Sequence, residues 1–156
     1  MDLKKIYIGY GMVRRGDEIW QYFMGSEEYH SPWVKQPNCE TIFRAVQRFD
    51  GFVSADTPYQ GGSLTTRPLA FRGNRLILNI DTGATGFAQV GVLDEHGVPI
   101  PGFELDSCVY VNGNHIETEV EWLDRGADVG ELAGRTVKLV FRSRGTKLYS
   151  MQFVNR

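Results

Sequence analysis

A regular alternation of apolar and charged residues in the last third of the chain constrains the fold most. Over residues 116–122, isoleucine, threonine, valine and tryptophan occupy every second position, and three glutamates occupy the positions between them. This period of two is typical of a β-strand with one buried and one solvated face. We therefore expect the three glutamates on a solvent face rather than in a catalytic pair.

Similar alternation recurs elsewhere, and helical periodicity is almost absent. Residues 137–142 and 149–153 alternate in the same way, and the segment Ser-Arg-Gly-Thr at residues 143–146 between them predicts a hairpin loop. Turn residues at 94–97 and 112–114 predict further hairpins. Other strands are predicted at residues 41–49, 52–55, 63–66, 75–80, 87–93, 98–100, 102–105 and 108–111, and one or two helical turns at 128–132.

About ten short strands at spacings near 8–12 residues indicate an all-β protein. We predict an antiparallel two-sheet β-sandwich (jelly-roll, concanavalin-like) over residues 38–156. A β-hairpin formed by residues 5–13 and 18–24 precedes it, and with the proline-containing linker that follows it makes up residues 1–37. An isolated hairpin is marginal in water. Its apolar residues are therefore expected to fold over the sandwich or to pair with a second copy, giving a homodimer.

Charge and hydropathy exclude several classes of partner. Lys and Arg total 17 and Asp and Glu total 19, so the net charge is −2, which argues against nucleic acid and anionic membranes. No apolar run approaches the roughly 18 residues of a membrane helix. No secretory signal peptide is recognised at the start. A cytoplasmic location is expected for the chain as it stands, whereas a fragment would have lost its targeting signal.

The residue types that carry catalysis or bind metals are sparse and scattered. Cys39 and Cys108 have no metal-ligand spacing, and we expect free thiols. The three histidines, His30, His96 and His115, lie in predicted loops without the spacing of a zinc site. We predict no catalytic residue, no metal ligand and no cofactor. Whether a calcium ion sits between loops is left open, with Asp81, Asp94 and Asp106 as oxygen donors.

Two aromatic residues in predicted loops are the better functional candidates. Trp33 lies in the proline-bounded linker, and Tyr59 follows Asp56 closely in another loop. Exposed rings stack on the apolar faces of sugars while nearby polar groups bind hydroxyls. The candidate carbohydrate-binding residues are therefore Trp33, Tyr59 and Asp56. The alternative is that both rings only pack against the core and hold their loops in place. Trp20 and Trp122 lie on predicted strands and are expected in the core.

Several segments carry a resemblance to a known family. Residues 8–11 (IGYG) and 15–23 (RGDEIWQYF), followed by His30, resemble the last strands of the five-bladed β-propeller of fructosidase-like (family 32-related) glycoside hydrolases. Five later segments of the chain resemble the β-sandwich that follows this propeller in the family. They are residues 50–54 (DGFVS), 61–69 (GGSLTTRPL), 76–79 (LILN), 97–103 (GVPIPGF) and 134–140 (GRTVKLV).

The catalytic motifs of that family are missing from the chain. The propeller carries its carboxylates in Asn-Asp-Pro, Arg-Asp-Pro and Glu-Cys motifs, and only the reversed pair Cys39-Glu40 is found. The resemblance therefore implies a non-catalytic accessory module that braces the propeller, assists dimerisation or binds carbohydrate. A free-standing lectin-like module is the alternative. A small glycosidase would require two carboxylates about 5–9.5 Å apart in a cleft.

Overall fold

Every strand pairing in the described part of the chain is antiparallel. The computed structural model describes residues 3–27 and 40–156. The chain divides into a first unit, residues 1–52, and a sandwich unit, residues 53–156. Neither unit contains an α-helix among the described residues, and no helix there has the length and apolar character to cross a membrane. The all-β fold class is confirmed.

The first unit is a small sheet built around one central strand. Its strands are β1 (Lys5–Ile8), β2 (Val13–Arg15), β3 (Glu18–Ser26) and β4 (Glu40–Arg48). β4 pairs with β3 along its whole length, while β1 and β2 share the opposite edge of β3. The turn between β2 and β3 contains Gly16 at φ +61°, a conformation that favours glycine. The predicted N-terminal hairpin is therefore present.

The division into units differs from the sequence-based boundary at residues 37 and 38. The strand predicted at residues 41–49 is present as β4, but assigning it to the sandwich was wrong. It pairs with β3 from Glu18 opposite Arg48 to Ser26 opposite Glu40. The first unit therefore extends to Phe52, because the hairpin acquires its third strand from beyond the predicted linker.

The sandwich unit contains eight strands in two sheets. The strands are β5 (Ala55–Thr57), β6 (Gly62–Thr65), β7 (Leu69–Ala70), β8 (Arg75–Asp81), β9 (Phe87–Asp94), β10 (Asn114–Glu119), β11 (Thr136–Arg144) and β12 (Thr146–Val154). One sheet has the order β10-β8-β12-β5. In the other sheet β11 is central, with β9 on one edge and β6 and β7 sharing the other. Two short 3₁₀ helices lie at Leu105–Ser107 and Gly130–Leu132.

The core lies between the two sheets and follows the alternation expected of strands. Every second residue of a strand points inward, and these positions are apolar on both sheets. The buried side chains include Leu76, Leu78 and Ile80 on β8, Val90 and Val92 on β9, and Val137, Leu139 and Phe141 on β11. This arrangement is that of an antiparallel β-sandwich. The jelly-roll strand order stays a prediction.

The segment at residues 116–122 has the predicted two faces. Val120 and Trp122 are buried, and the indole N–H of Trp122 donates to the carbonyl of Val90 at 3.0 Å. Glu117 and Glu119 lie on the outer side, where both accept bonds from the guanidinium of Arg156. The solvent-face interpretation of the glutamates therefore holds for these two residues.

Several of the local predictions were wrong. Residues 98–100 and 108–111 contribute only isolated bridges, and the strand predicted at residues 52–55 begins only at Ala55. Residues 102–105 form a turn leading into a 3₁₀ helix rather than a strand. Residues 112–114 do not close a tight hairpin, because Val111 bridges to Ala88 in one sheet while β10 pairs with β8 in the other. This turn therefore links the two sheets. The hairpin predicted at Gly145 was also wrong. β11 and β12 end and begin on either side of Gly145, but β11 pairs with β6, β7 and β9 while β12 pairs with β5 and β8. Gly145 therefore also connects the two sheets.

Candidate functional site

The structure describes two of the three predicted carbohydrate-binding residues. Asp56 lies in β5 at the edge of its sheet, and Tyr59 lies in the turn that follows β5. Trp33 falls outside the described residues. The structure therefore brings Asp56 and Tyr59 onto one short segment of the sandwich unit and does not place Trp33.

Asp56 is held as an ionised carboxylate on the outer side of its sheet. β5 pairs with β12 so that Asp56 is opposite Lys147, and their side chains are 3.4 Å apart. The hydroxyl of Ser54 donates to the other carboxylate oxygen at 2.5 Å. The hydrogen bond from Ser54, together with Lys147, holds the pKa of Asp56 below its usual value. The group is therefore a hydrogen-bond acceptor at neutral pH rather than a general acid.

Tyr59 is positioned by a tight turn and remains substantially exposed. The turn closes where the N–H of Gly61 donates to Pro58 O at 3.0 Å. The phenol of Tyr59 donates to the hydroxyl of Thr85 at 3.1 Å, and the guanidinium of Arg144 lies 5.1 Å from the ring centroid. The residue nevertheless keeps 58% of its surface exposed. The ring thus has a fixed orientation and an accessible surface.

A groove opens beside Asp56, between the edge strands of the two sheets. β5 and β6 line a cavity of about 250 Å³ whose walls include Asp56, Thr57 and Ser63. The apolar side chains of Ile80, Ala88, Phe141 and Leu148 also line it. The hydroxyls of Thr57 and Ser143 bond to each other across 2.7 Å within it. This volume is below the roughly 300–1,000 Å³ of a typical drug-sized pocket, so it suits one ring rather than a longer ligand.

Sequence reasoning did not identify Arg144 and Thr85 as part of this site. Arg144 ends β11, and besides lying near the Tyr59 ring it donates to the carbonyl of Thr85 at 2.9 Å. Both residues come from segments far from Tyr59 in sequence. The only local signal was that each flanks a glycine-containing turn, which marks a loop but not the loop it contacts.

The other chemistry-bearing residues of the sandwich unit have local structural partners. His115 bonds through its ring to the carbonyl of Asn112. Asp81 and Asp94 accept bonds from backbone N–H groups of their own turns, and Asp106 accepts from Arg142. In residues 3–27 and 40–156, no group of three or more His, Cys, Asp or Glu side chains is arranged to hold a metal ion.

The first unit has a second notable feature, an extensive exposed apolar surface. Among its described residues only Gly25 and Ser26 are buried. Trp20, expected in the core, is only half-buried and lies beneath the guanidinium of Arg44, 4.0 Å from its ring centroid. Both sheet faces carry exposed apolar side chains: Ile6 and Ile8 lie on one, and Tyr7, Val13, Tyr22, Ile42 and Val46 on the other.

Comparison of the chain with protein-family models, with curated proteins and with solved structures found no match. The resemblance to the fructosidase-like glycoside hydrolases therefore stays a prediction. Two features of the described structure bear on function: the Tyr59 site and the apolar surface of the first unit.

Proposed function

We propose that the chain is a non-catalytic accessory module of a glycoside-hydrolase-like protein, and that its sandwich unit binds carbohydrate beside Tyr59. The observation that carries this proposal is the exposed, fixed ring of Tyr59 on the turn that directly follows the strand of Asp56, an ionised carboxylate. An ordered ring offers stacking area at little entropic cost.

In this proposal the sugar ring stacks on the exposed face of Tyr59. Asp56 accepts hydrogen bonds from one or two sugar hydroxyls, and bonds to a charged acceptor are stronger than neutral ones. The groove beside Asp56 takes an apolar edge of the same ring or of its neighbour. A free-standing lectin-like module, the alternative context, would use the same residues.

The test is a glycan-array screen followed by affinity measurements on substituted proteins. For a glycan that binds the wild type, Tyr59→Ala is expected to weaken binding about tenfold or more through lost stacking. Asp56→Asn is expected to weaken it by a similar factor, because the acceptor loses its charge. Tyr59→Phe keeps the ring and loses only the bond to Thr85, so most of the affinity should remain.

A matched control is Tyr22→Ala in the first unit, where the tyrosine is exposed to a similar degree, 47%. This change should leave glycan binding unaltered. The proposal is contradicted if no glycan binds, or if binding survives both Tyr59→Ala and Asp56→Asn unchanged.

A second candidate function is assembly, and the exposed apolar surface of the first unit favours it. Monomeric soluble proteins rarely leave large contiguous apolar patches uncovered, and this sheet has exposed apolar side chains on both faces. As an assembly module, the first unit would brace a larger protein or a second copy while the sandwich unit carries the sugar site.

A further inference from the structure

The outer edge of β4 is a long and regular strand edge. Within the part of the chain that the structure describes, β4 forms backbone pairs with β3 alone. Its nine residues contain no proline or glycine, and its register with β3 is unbroken. Natural proteins usually protect such an edge with a bulge, a proline, a very short strand or charged side chains. Of these devices β4 has only the charges of Glu40, Arg44 and Arg48.

The pairing of β3 with β4 determines which backbone groups of β4 point outward. The N–H of Phe49 donates to the carbonyl of Asp17 at 2.8 Å, so these two residues form a hydrogen-bonded pair. Such pairs alternate along an antiparallel ladder. The odd-numbered residues of β4 therefore bond to β3, and the even-numbered residues face the outer edge. Glu40, Ile42, Arg44 and Val46 present their N–H and C=O groups there, whereas the carbonyl of Arg48 accepts a bond from the N–H of Gly51 at 2.9 Å.

The side chains of these even-numbered residues are self-complementary. The strand begins with Glu40 and ends with Arg48, and Ile42 and Val46 lie symmetrically between them. Ile42 is 76% exposed and Val46 is 45% exposed. If two copies pair antiparallel about Arg44, each Glu40 faces an Arg48 and each Ile42 faces a Val46. Opposite charges and apolar pairs directly across a ladder both stabilise a sheet.

We propose that β4 pairs with β4 of a second copy in this register, joining two first units into one continuous sheet. The partner's strand supplies hydrogen bonds to the outward N–H and C=O groups and covers Ile42 and Val46. This inference rests on the assembly role proposed for the first unit and is independent of sugar binding. It places the interface on β4, whereas the sequence suggested the N-terminal hairpin.

The register is selected by the side chains. Because only even-numbered residues present outward groups, the strands can slip only in steps that keep even residues opposite one another. A shift by one such step sets Ile42 opposite Arg44 or Arg48, which removes both favourable pairings. In the proposed register the two Arg44 residues meet at the symmetry axis. The stacking of each guanidinium over its own Trp20 draws it toward β3, which reduces the repulsion between them.

The experiment is a charge exchange on the full chain, with mass measured by light scattering across a concentration series. The wild type is expected to be a dimer. Glu40→Arg and Arg48→Glu each place like charges at both ends of the paired strands and should raise the dimer dissociation constant about tenfold or more. The double variant restores opposite charges and should dimerise again. Mixing the two single variants should likewise give a heterodimer.

A second substitution covers the case in which Glu40→Arg disturbs folding, since Glu40 also pairs with Lys5 at 2.9 Å. The combined changes Ile42→Lys and Val46→Lys lie at exposed positions. This variant should be folded by circular dichroism and monomeric by light scattering. A wild type that is monomeric at every concentration overturns the inference. So does a dimer that resists both the single charge variants and the lysine pair. Glycan binding by a monomeric protein would leave the sugar site intact and reject only this interface.

Discussion

The thiol of Cys108 is buried between the backbone of two neighbouring segments. Its sulfur accepts a hydrogen bond from the N–H of Val90 at 3.1 Å and donates to the carbonyl of Val109 at 3.3 Å. Burial raises the pKa of Cys108, although the bond from Val90 acts in the opposite direction. Cys108 is a free thiol, as expected from the sequence, and Cys39 lies outside the described residues. A buried, protonated thiol of this kind is unreactive.

The raised pKa predicts a loss of stability at alkaline pH. Above the ordinary thiol pKa of about 8.5, the unfolded chain releases the Cys108 proton while the folded chain retains it. The free energy of unfolding therefore falls as pH rises from that value to the folded-state pKa. Urea unfolding across this range should show a steeper decline for Cys39→Ser than for the Cys39→Ser, Cys108→Ala double variant. Parallel curves would contradict the assignment.

The burial of some residues was predicted correctly from the sequence, and that of others was not. Trp122 was correctly expected in the core, because its neighbours alternate strictly and one face of the strand is clearly apolar. Trp20 also lies on a strand, but its sheet has no covering layer among the described residues of the first unit, and a local pattern does not report whether such a layer exists. The exposure of Tyr59 agrees with its loop position. Its contacts with Arg144 and Thr85 depend on long-range packing.

Two glycines lie in the turns on either side of β9, and each turn requires its glycine for a different physical reason. Gly97 lies in the turn after β9 at φ +88°, and a Cβ there would meet nothing within 4 Å. Gly86 precedes β9, and a Cβ there would overlap the carbonyl oxygens of Thr82 and Arg144. The first glycine is required for its backbone angle and the second for space.

These two causes predict different costs for the same change. Gly97→Ala should destabilise the sandwich unit by about 1–2 kcal/mol, the cost of the left-handed conformation for a residue with a Cβ. Gly86→Ala should cost more than about 3 kcal/mol, because backbone atoms of two segments must move. Chemical denaturation of both variants beside wild type measures the difference. Equal costs would indicate that the region around Gly86 accommodates a methyl group easily.

At the level of elements, the positions of the strands along the chain were predicted better than the pairing of one strand with another. Alternation and turn residues are local, so β8, β9, β11 and β12 were all anticipated within a few residues of their ends. The choice of partner is not local. Residues 112–114 have the composition of a hairpin turn, yet the chain crosses there from one sheet to the other. The hydrogen bond from the Asn112 side chain to Gly86 O, at 2.8 Å, holds that crossing in place.

The sandwich unit contains a complete hydrophobic core of its own. All buried apolar side chains of the described chain lie in it, from Phe71 to Phe141, whereas the described residues of the first unit bury only Gly25 and Ser26. The boundary was misplaced in sequence because the pattern of residues 41–49 fits either unit. Only the pairing of β4 with β3 decides between them.

This distribution of burial predicts that residues 53–156 fold alone. A fragment of this range should give a dispersed amide NMR spectrum and a cooperative thermal transition. Residues 1–52 alone should lack both, because the described residues of this small sheet bury only Gly25 and Ser26 and a sheet without a buried apolar face is marginal in water. An unfolded 53–156 fragment would show that the sandwich unit depends on the first unit for its stability.

The connection at Gly145 between the two sheets has a consequence for how the sandwich unit folds during synthesis. The two strands that it joins are the last strands of the sandwich, and each has strands on both edges: β11 lies between β9 and the β6–β7 edge, and β12 lies between β8 and β5. During synthesis on the ribosome, the earlier strands emerge without their central neighbours. Neither sheet can be completed until β11 and β12 have both emerged. The sandwich unit therefore folds only after all of its own residues have been synthesised, and the edges of its earlier strands stay unpaired until then.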